Sequence, residues 1–205
     1  MKYADFKKRV AEAAIFSPLD YLPFDQDRNV FKLQVSQWKK HGLLVPLKKN
    51  LYVLHEHDRK TTPSRLYIAN QLVFPSYVSL ETALSFYGMI PERVYTVTSV
   101  TSKKTNHYTN SFGTFTYKSL QPFRYFGYQL VRDEHGMPVF IANKEKAFLD
   151  FLYFNVPVKS IKDASFIESF RIENLEDLDQ SKLLTYMKLF RSKKLDILSR
   201  TGQVV

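Results

Sequence analysis

The chain has 205 residues, 30 Lys and Arg against 20 Asp and Glu, a formal charge of +10 and 44% hydrophobic residues, enough for one large domain or two small ones. Aromatics reach 15%, with 13 Tyr and 17 Phe, which excludes disorder as the main state because too much apolar surface would stand in water. Cysteine is absent, so disulfides, thiolate nucleophiles, zinc fingers and iron–sulfur clusters are excluded together.

In chain order, Phe6, Val10, Ala13 and Ala14 lie at helical spacing and predict an amphipathic helix over residues 3–16. Met1 to Arg9 interleaves charge with apolar residues, and no apolar run approaches 18 residues. Neither a signal peptide nor a membrane span is therefore expected, and the expected location is the cytoplasm. Ser17-Pro18 opens a short second helix that stops near Pro23. A third helix is predicted from about 29 to 41, with Phe31, Val35 and Trp38 as its core stripe and Gly42 as its stop. The runs 43–47 and 51–54 then read as a hairpin with a basic tip, Lys48-Lys49-Asn50.

Three helices and a hairpin are the element order of a winged helix-turn-helix, predicted here as a DNA-binding domain over residues 1–62. Charge points the same way. Residues 28–60 hold 8 basic and 2 acidic side chains, more than half of the net charge, which is the footprint of polyanion binding; a solvated face is the plainer alternative. In the DNA reading Asn29, Lys32, Leu33, Ser36 and Gln37 face the groove, while Lys39, Lys40, Lys48 and Lys49 hold phosphates.

Beyond Pro63 the pattern predicts a helix over 64–73, a helix led by Ser79 as its cap and ended by Gly88, and strands near 94–100, 112–120, 128–132 and 138–142. An apolar helix capped by Asn143 follows, then helices over about 163–172, 179–191 and 193–199. The expected fold class is α+β, with residues 63–205 as a second, mixed domain built on a small antiparallel sheet and C-terminal helices. The segment 96–109, rich in Ser and Thr with Lys103, Lys104 and His107, reads either as a phosphate or RNA contact or as the polar face of an exposed hairpin.

Catalytic readings find little support. His55-Glu56-His57-Asp58 offers two imidazoles without a third ligand cluster, and Ser36-Gln37-Trp38-Lys39 matches Ser-x-x-Lys without its companion motifs. The six glycines form neither a GxGxxG loop nor a P-loop. No catalytic residue, metal site or cofactor is expected, and the protein is expected not to be an enzyme.

The run Tyr77 to Glu92, YVSLETALSFYGMIPE, followed by Val97 to Thr101 and by Ile141 to Ala147, resembles the AbiEi antitoxins of bacterial abortive-infection (type IV) toxin–antitoxin systems. The resemblance covers about residues 25–155. It departs from the usual pattern at the wing tip, where Lys48-Lys49-Asn50 replaces an Arg-Gly pair, and at Asn143-Lys144, where a Pro before the Glu is usual. It implies a cytoplasmic, two-domain regulator that binds inverted repeats in its own promoter and represses its operon. It further implies that the second domain counteracts a nucleotidyltransferase-type toxin without a stable complex. The candidate antitoxin surface it suggests is Ser79, Glu81, Thr98, Ser99, Thr101, Lys103 and Lys104. The alternatives are a winged-helix transcriptional regulator whose second domain binds an effector or mediates dimerisation, and a second domain that binds RNA or is enzymatic.

Overall fold

The computed structural model describes residues 1–160 and 163–200; residues 161, 162 and 201–205 of the predicted second domain lie outside the described residues. α1 (Tyr3–Val10) buries Phe6 and Val10 and ends six residues before the predicted stop at 16. Its successor residues turn so that Phe16 exchanges two 2.9 Å backbone hydrogen bonds with Tyr52, which a helix through 16 would forbid. The predicted second helix is one turn of 3-10 helix, Pro18–Tyr21, in which Ser17 makes no capping hydrogen bond. Prolines at 18 and 23 leave too few residues for an α-helical ladder.

α2 (Arg28–Lys40) starts from Asp27, whose Oδ1 accepts the amides of Asn29 at 2.8 Å and Val30 at 2.9 Å. Gly42, at φ +74°, ends it in the left-handed conformation that glycine tolerates. β1 (Leu44–Lys48) and β2 (Leu51–Leu54) form the antiparallel hairpin, with Asn50 at φ +62° in its tip. Phe6, Val10, Phe16, Phe31, Trp38, Leu44 and Leu54 make a first core, in which Phe6 stacks on Trp38 at 4.9 Å.

A second core occupies the rest of the chain, and Leu47 and Val53 of the hairpin belong to it. The hairpin therefore contributes side chains to both cores. α3 (Arg65–Leu72) is capped by Ser64, whose Oγ accepts the Tyr67 amide at 3.0 Å. β3 (Ser76–Val78) and α4 (Leu80–Phe86) lead into β4 (Thr96–Thr101), β5 (Asn106–Asn110), β6 (Gly113–Ser119), β7 (Tyr128–Arg132) and β8 (Pro138–Ala142). These strands form one six-stranded sheet in the order β5-β6-β4-β3-β8-β7.

The fold is α+β as expected, but the sheet is mixed rather than small and antiparallel. β4 runs parallel to β6 and β3 parallel to β8. Sequence reading missed β3 because three residues carry no period, and β5 because Asn-His-Tyr-Thr-Asn is a polar edge strand whose half-buried side offers only one apolar residue, Tyr108. α5 (Lys144–Asn155) takes its cap from Asn143, which accepts the Lys146 amide at 3.0 Å, and residues 145–152 are all buried, on every face of the helix, against the sheet and neighbouring helices. α6 (Ala164–Glu168) is shorter than the predicted 163–172; α7 (Gln180–Phe190) and α8 (Lys193–Arg200) complete the second core through Leu183, Met187, Phe190 and Leu195. No helix among the described residues is long and apolar enough to cross a membrane.

Candidate nucleic-acid interface

From Arg28 to His55 the chain carries Arg28, Lys32, Lys39, Lys40, Lys48 and Lys49 and no acidic residue. Burial of Phe31 and Trp38 fixes the rotation of α2, so the opposite face stands in solvent. Asn29, Lys32, Leu33, Ser36, Gln37, Lys39 and Lys40 are all exposed there, and Leu33 keeps 68% of its surface. Amide and hydroxyl side chains around an uncovered leucine can hydrogen-bond base edges and meet a thymine methyl.

Between α2, the hairpin tip and the 3-10 turn lies a cleft of about 510 Å3. Arg28, Lys32, Lys39 and Lys49 ring it over a floor of Leu19, Val35 and Tyr52, with Ser36 and Asn50 on its walls. None of those four cations has an ion-pair partner among the described residues. Uncompensated charge in a concave, partly apolar site focuses a positive potential on its mouth.

Lys48 does not join them. Its Nζ donates to the carbonyl oxygen of Leu72 at 2.5 Å, and burial together with the Lys103 charge lowers its pKa. Of the two lysines at the hairpin tip, Lys49 lines the cleft and Lys48 is hydrogen-bonded to the end of α3.

The residues expected to share an antitoxin surface fall in three places. Ser79, Ser99 and Thr101 are fully buried and belong to no surface. Ser79, expected as a helix cap, instead donates from Oγ to Asp150 Oδ2 at 2.8 Å, while Thr98 Oγ1 accepts the Thr82 amide at 3.2 Å and so does the capping. Glu81 and Thr98 line a groove of about 650 Å3 with Tyr95, Phe151, Asn155 and Phe170, where Asn155 Nδ2 donates to Glu81 Oε1 at 3.0 Å. Lys103 and Lys104 stand exposed beyond the far end of β4.

Sequence reasoning also missed a buried polar cluster. Lys146 and Asp150, one helical turn apart in α5, form an ion pair with no exposed surface. Asp150 Oδ2 accepts from Tyr77 Oη at 3.0 Å, and Lys146 Nζ donates to the same Tyr77 oxygen at 2.8 Å. The rings of Tyr77, Phe126 and Phe190 surround Nζ at 4.9–5.3 Å. Burial raises the Asp150 carboxyl, lowers the Lys146 ammonium and pushes the Tyr77 phenol up, each against its charged form. Sealed in this way, the cluster ties α5 to β3. A Lys and an Asp four apart, with Asp150 alone among apolar residues from Ala147 to Phe154, was the signal available for it.

The imidazoles of His55 and His57 lie with ring centroids 5.1 Å apart, and no group of three His, Asp or Glu able to hold a metal occurs among the described residues. Asp58 accepts instead from Tyr3 Oη and from Lys7 Nζ, each at 2.7 Å. No family model matches the chain, and no curated protein matches it.

Proposed function

We propose that the N-terminal module is a winged helix-turn-helix that binds duplex DNA, with α2 in the major groove and the hairpin tip on the adjacent backbone. The observation that carries this reading is the exposed face of α2, with Asn29, Leu33, Ser36 and Gln37, beside a cleft of four cations that have no ion-pair partner among the described residues. A major groove about 12 Å wide admits one helix, and the phosphates on its border meet cations placed as Lys32, Lys39 and Lys49 are. The isolated Phe16–Tyr52 bridge ties the segment before the 3-10 turn to the outer side of the hairpin.

The biological role proposed with it is a cytoplasmic autorepressor that binds inverted repeats in its own promoter and is the antitoxin to a nucleotidyltransferase-type toxin, with no catalysis and no cofactor of its own. The antitoxin half rests on the sequence resemblance over residues 25–155. The groove at Glu81 favours a second reading, a transcriptional regulator in which that groove takes a small effector.

Fluorescence anisotropy of the full chain on its own upstream promoter, between 50 and 200 mM salt, tests the DNA reading. Tighter binding to that duplex than to a scrambled one, with a steep loss of affinity as salt rises, is expected. Equal binding to both duplexes overturns sequence-specific recognition. Co-expression with the neighbouring toxin gene tests the antitoxin half, which failure to restore growth overturns.

A further inference from the structure

We infer that the DNA-backbone footprint does not end at the hairpin tip but continues onto the second module, where Lys103 and Lys104 in the turn between β4 and β5 take phosphates beyond the wing. This rests on the DNA reading of α2.

The sequence contains two long acid-free segments. One is Arg28–His55; the other is residues 93–132, which carry Arg93, Lys103, Lys104, Lys118, Arg124 and Arg132 without one Asp or Glu. The fold sets the β5 part of the second against the hairpin of the first. β1 packs against β5, and Asn110 Nδ2 of β5 donates to the Leu47 carbonyl of β1 at 3.1 Å.

The β4–β5 turn is held in a fixed place. Thr101 Oγ1 accepts the Lys103 amide at 3.1 Å and donates to the Pro75 carbonyl at 2.6 Å, just past the end of α3 where Lys48 is tied. Lys103 lies close enough to Lys48 for its charge to disfavour the Lys48 ammonium. Lys103 and Lys104 are exposed, and neither has an ion-pair partner among the described residues.

Like charges set beside one another without a counter-charge repel and cost stability. A polyanion along the line from the cleft past Lys49 to Lys103 and Lys104 removes that repulsion and releases condensed counterions. Duplex DNA is the occupant because the same line begins at the groove-reading face of α2. These are backbone contacts, so they add affinity and salt dependence without sequence choice.

The test compares the full chain with its Lys103→Ala/Lys104→Ala and Lys32→Ala/Lys39→Ala variants on the promoter duplex and on a scrambled duplex, across a salt titration. The turn variant is expected to lower the slope of log affinity against log salt by about 1.8, for two lost phosphate contacts. Its preference for the promoter should be unchanged, and Lys103→Arg/Lys104→Arg should restore the slope. An unaltered slope in the turn variant, with the usual loss in the α2 variant, overturns the extension and leaves the α2 reading standing. An unaltered slope in both overturns the DNA reading and the extension with it.

Discussion

Lys48 Nζ donates a 2.5 Å hydrogen bond to the carbonyl oxygen of Leu72, the last residue of α3, and so fastens the hairpin tip to the second module. Its neighbour Lys49 lines the cleft and has no ion-pair partner among the described residues. Two adjacent lysines of the same charge therefore do different things. Lys48→Met is expected to lower unfolding free energy by ~1 kcal/mol, the usual worth of one such hydrogen bond, and to leave the salt slope of DNA binding in place. Lys49→Ala is expected to lower that slope by about 0.9 with no loss of stability. Urea denaturation and salt-titrated anisotropy check both; the reverse pattern would show that Lys48 is the phosphate contact.

On α2, chemistry separates specificity from affinity. Gln37→Ala removes a side chain able to bind a base edge bidentately and should cost ~1–3 kcal/mol of discrimination. Lys39→Ala removes charge alone and should weaken promoter and scrambled duplexes alike. The ratio of the two dissociation constants distinguishes the cases, and a preserved ratio in Gln37→Ala would remove Gln37 from the reading face.

The Lys146–Asp150 pair predicts strong coupling. Lys146→Met leaves Asp150 buried with only the Tyr77 and Ser79 hydroxyls as donors and should cost ~3–5 kcal/mol. Adding Asp150→Leu removes the stranded carboxyl and should recover much of that loss, because two apolar groups need no charge partner. A thermal or urea double-mutant cycle measures this; additive single and double values would mean that the two residues do not act as a pair.

Asp58 predicts an acid limb in stability. Hydrogen bonds from Lys7 and then Tyr3, with the Lys7 charge beside it, hold its carboxyl below the usual range despite opposing burial. A carboxyl with a lower pKa folded than unfolded stabilises the fold above its unfolded value, and that contribution is lost as pH falls through the folded value. Asp58→Asn should therefore be less stable than the parent at pH 7, and the difference should start to shrink as pH falls below about 4. A difference that does not shrink with acid would assign it to packing instead.

Much of the N-terminal module was legible because its signals are local. The stripe of Phe31 and Trp38 sets the rotation of α2, Gly42 stops it, and Asn50 accepts the positive φ of the tip. Other residues misled for equally physical reasons. A serine before a helix is ordinarily its cap, but Ser79 is held by a carboxylate 71 residues away, and a threonine from the next strand satisfies the helix in its place. The segment 96–109 read as the polar face of an exposed hairpin from its Ser and Thr content, yet Ser99 and Thr101 are buried because β4 lies inside the sheet with helices against it.

By itself the sequence determined the balance of charge, the absence of cysteine chemistry, the orientation of α2 and the concentration of cations around it, since each is a property of residues close together in the chain. Only the tertiary structure decided which of two adjacent lysines meets the cleft, that the hairpin belongs to two cores at once, and that β5, from the acid-free segment 93–132, packs against the hairpin of the acid-free segment 28–55. Strand pairing over long separations is set by the burial of both faces of a sheet, and no local period records it.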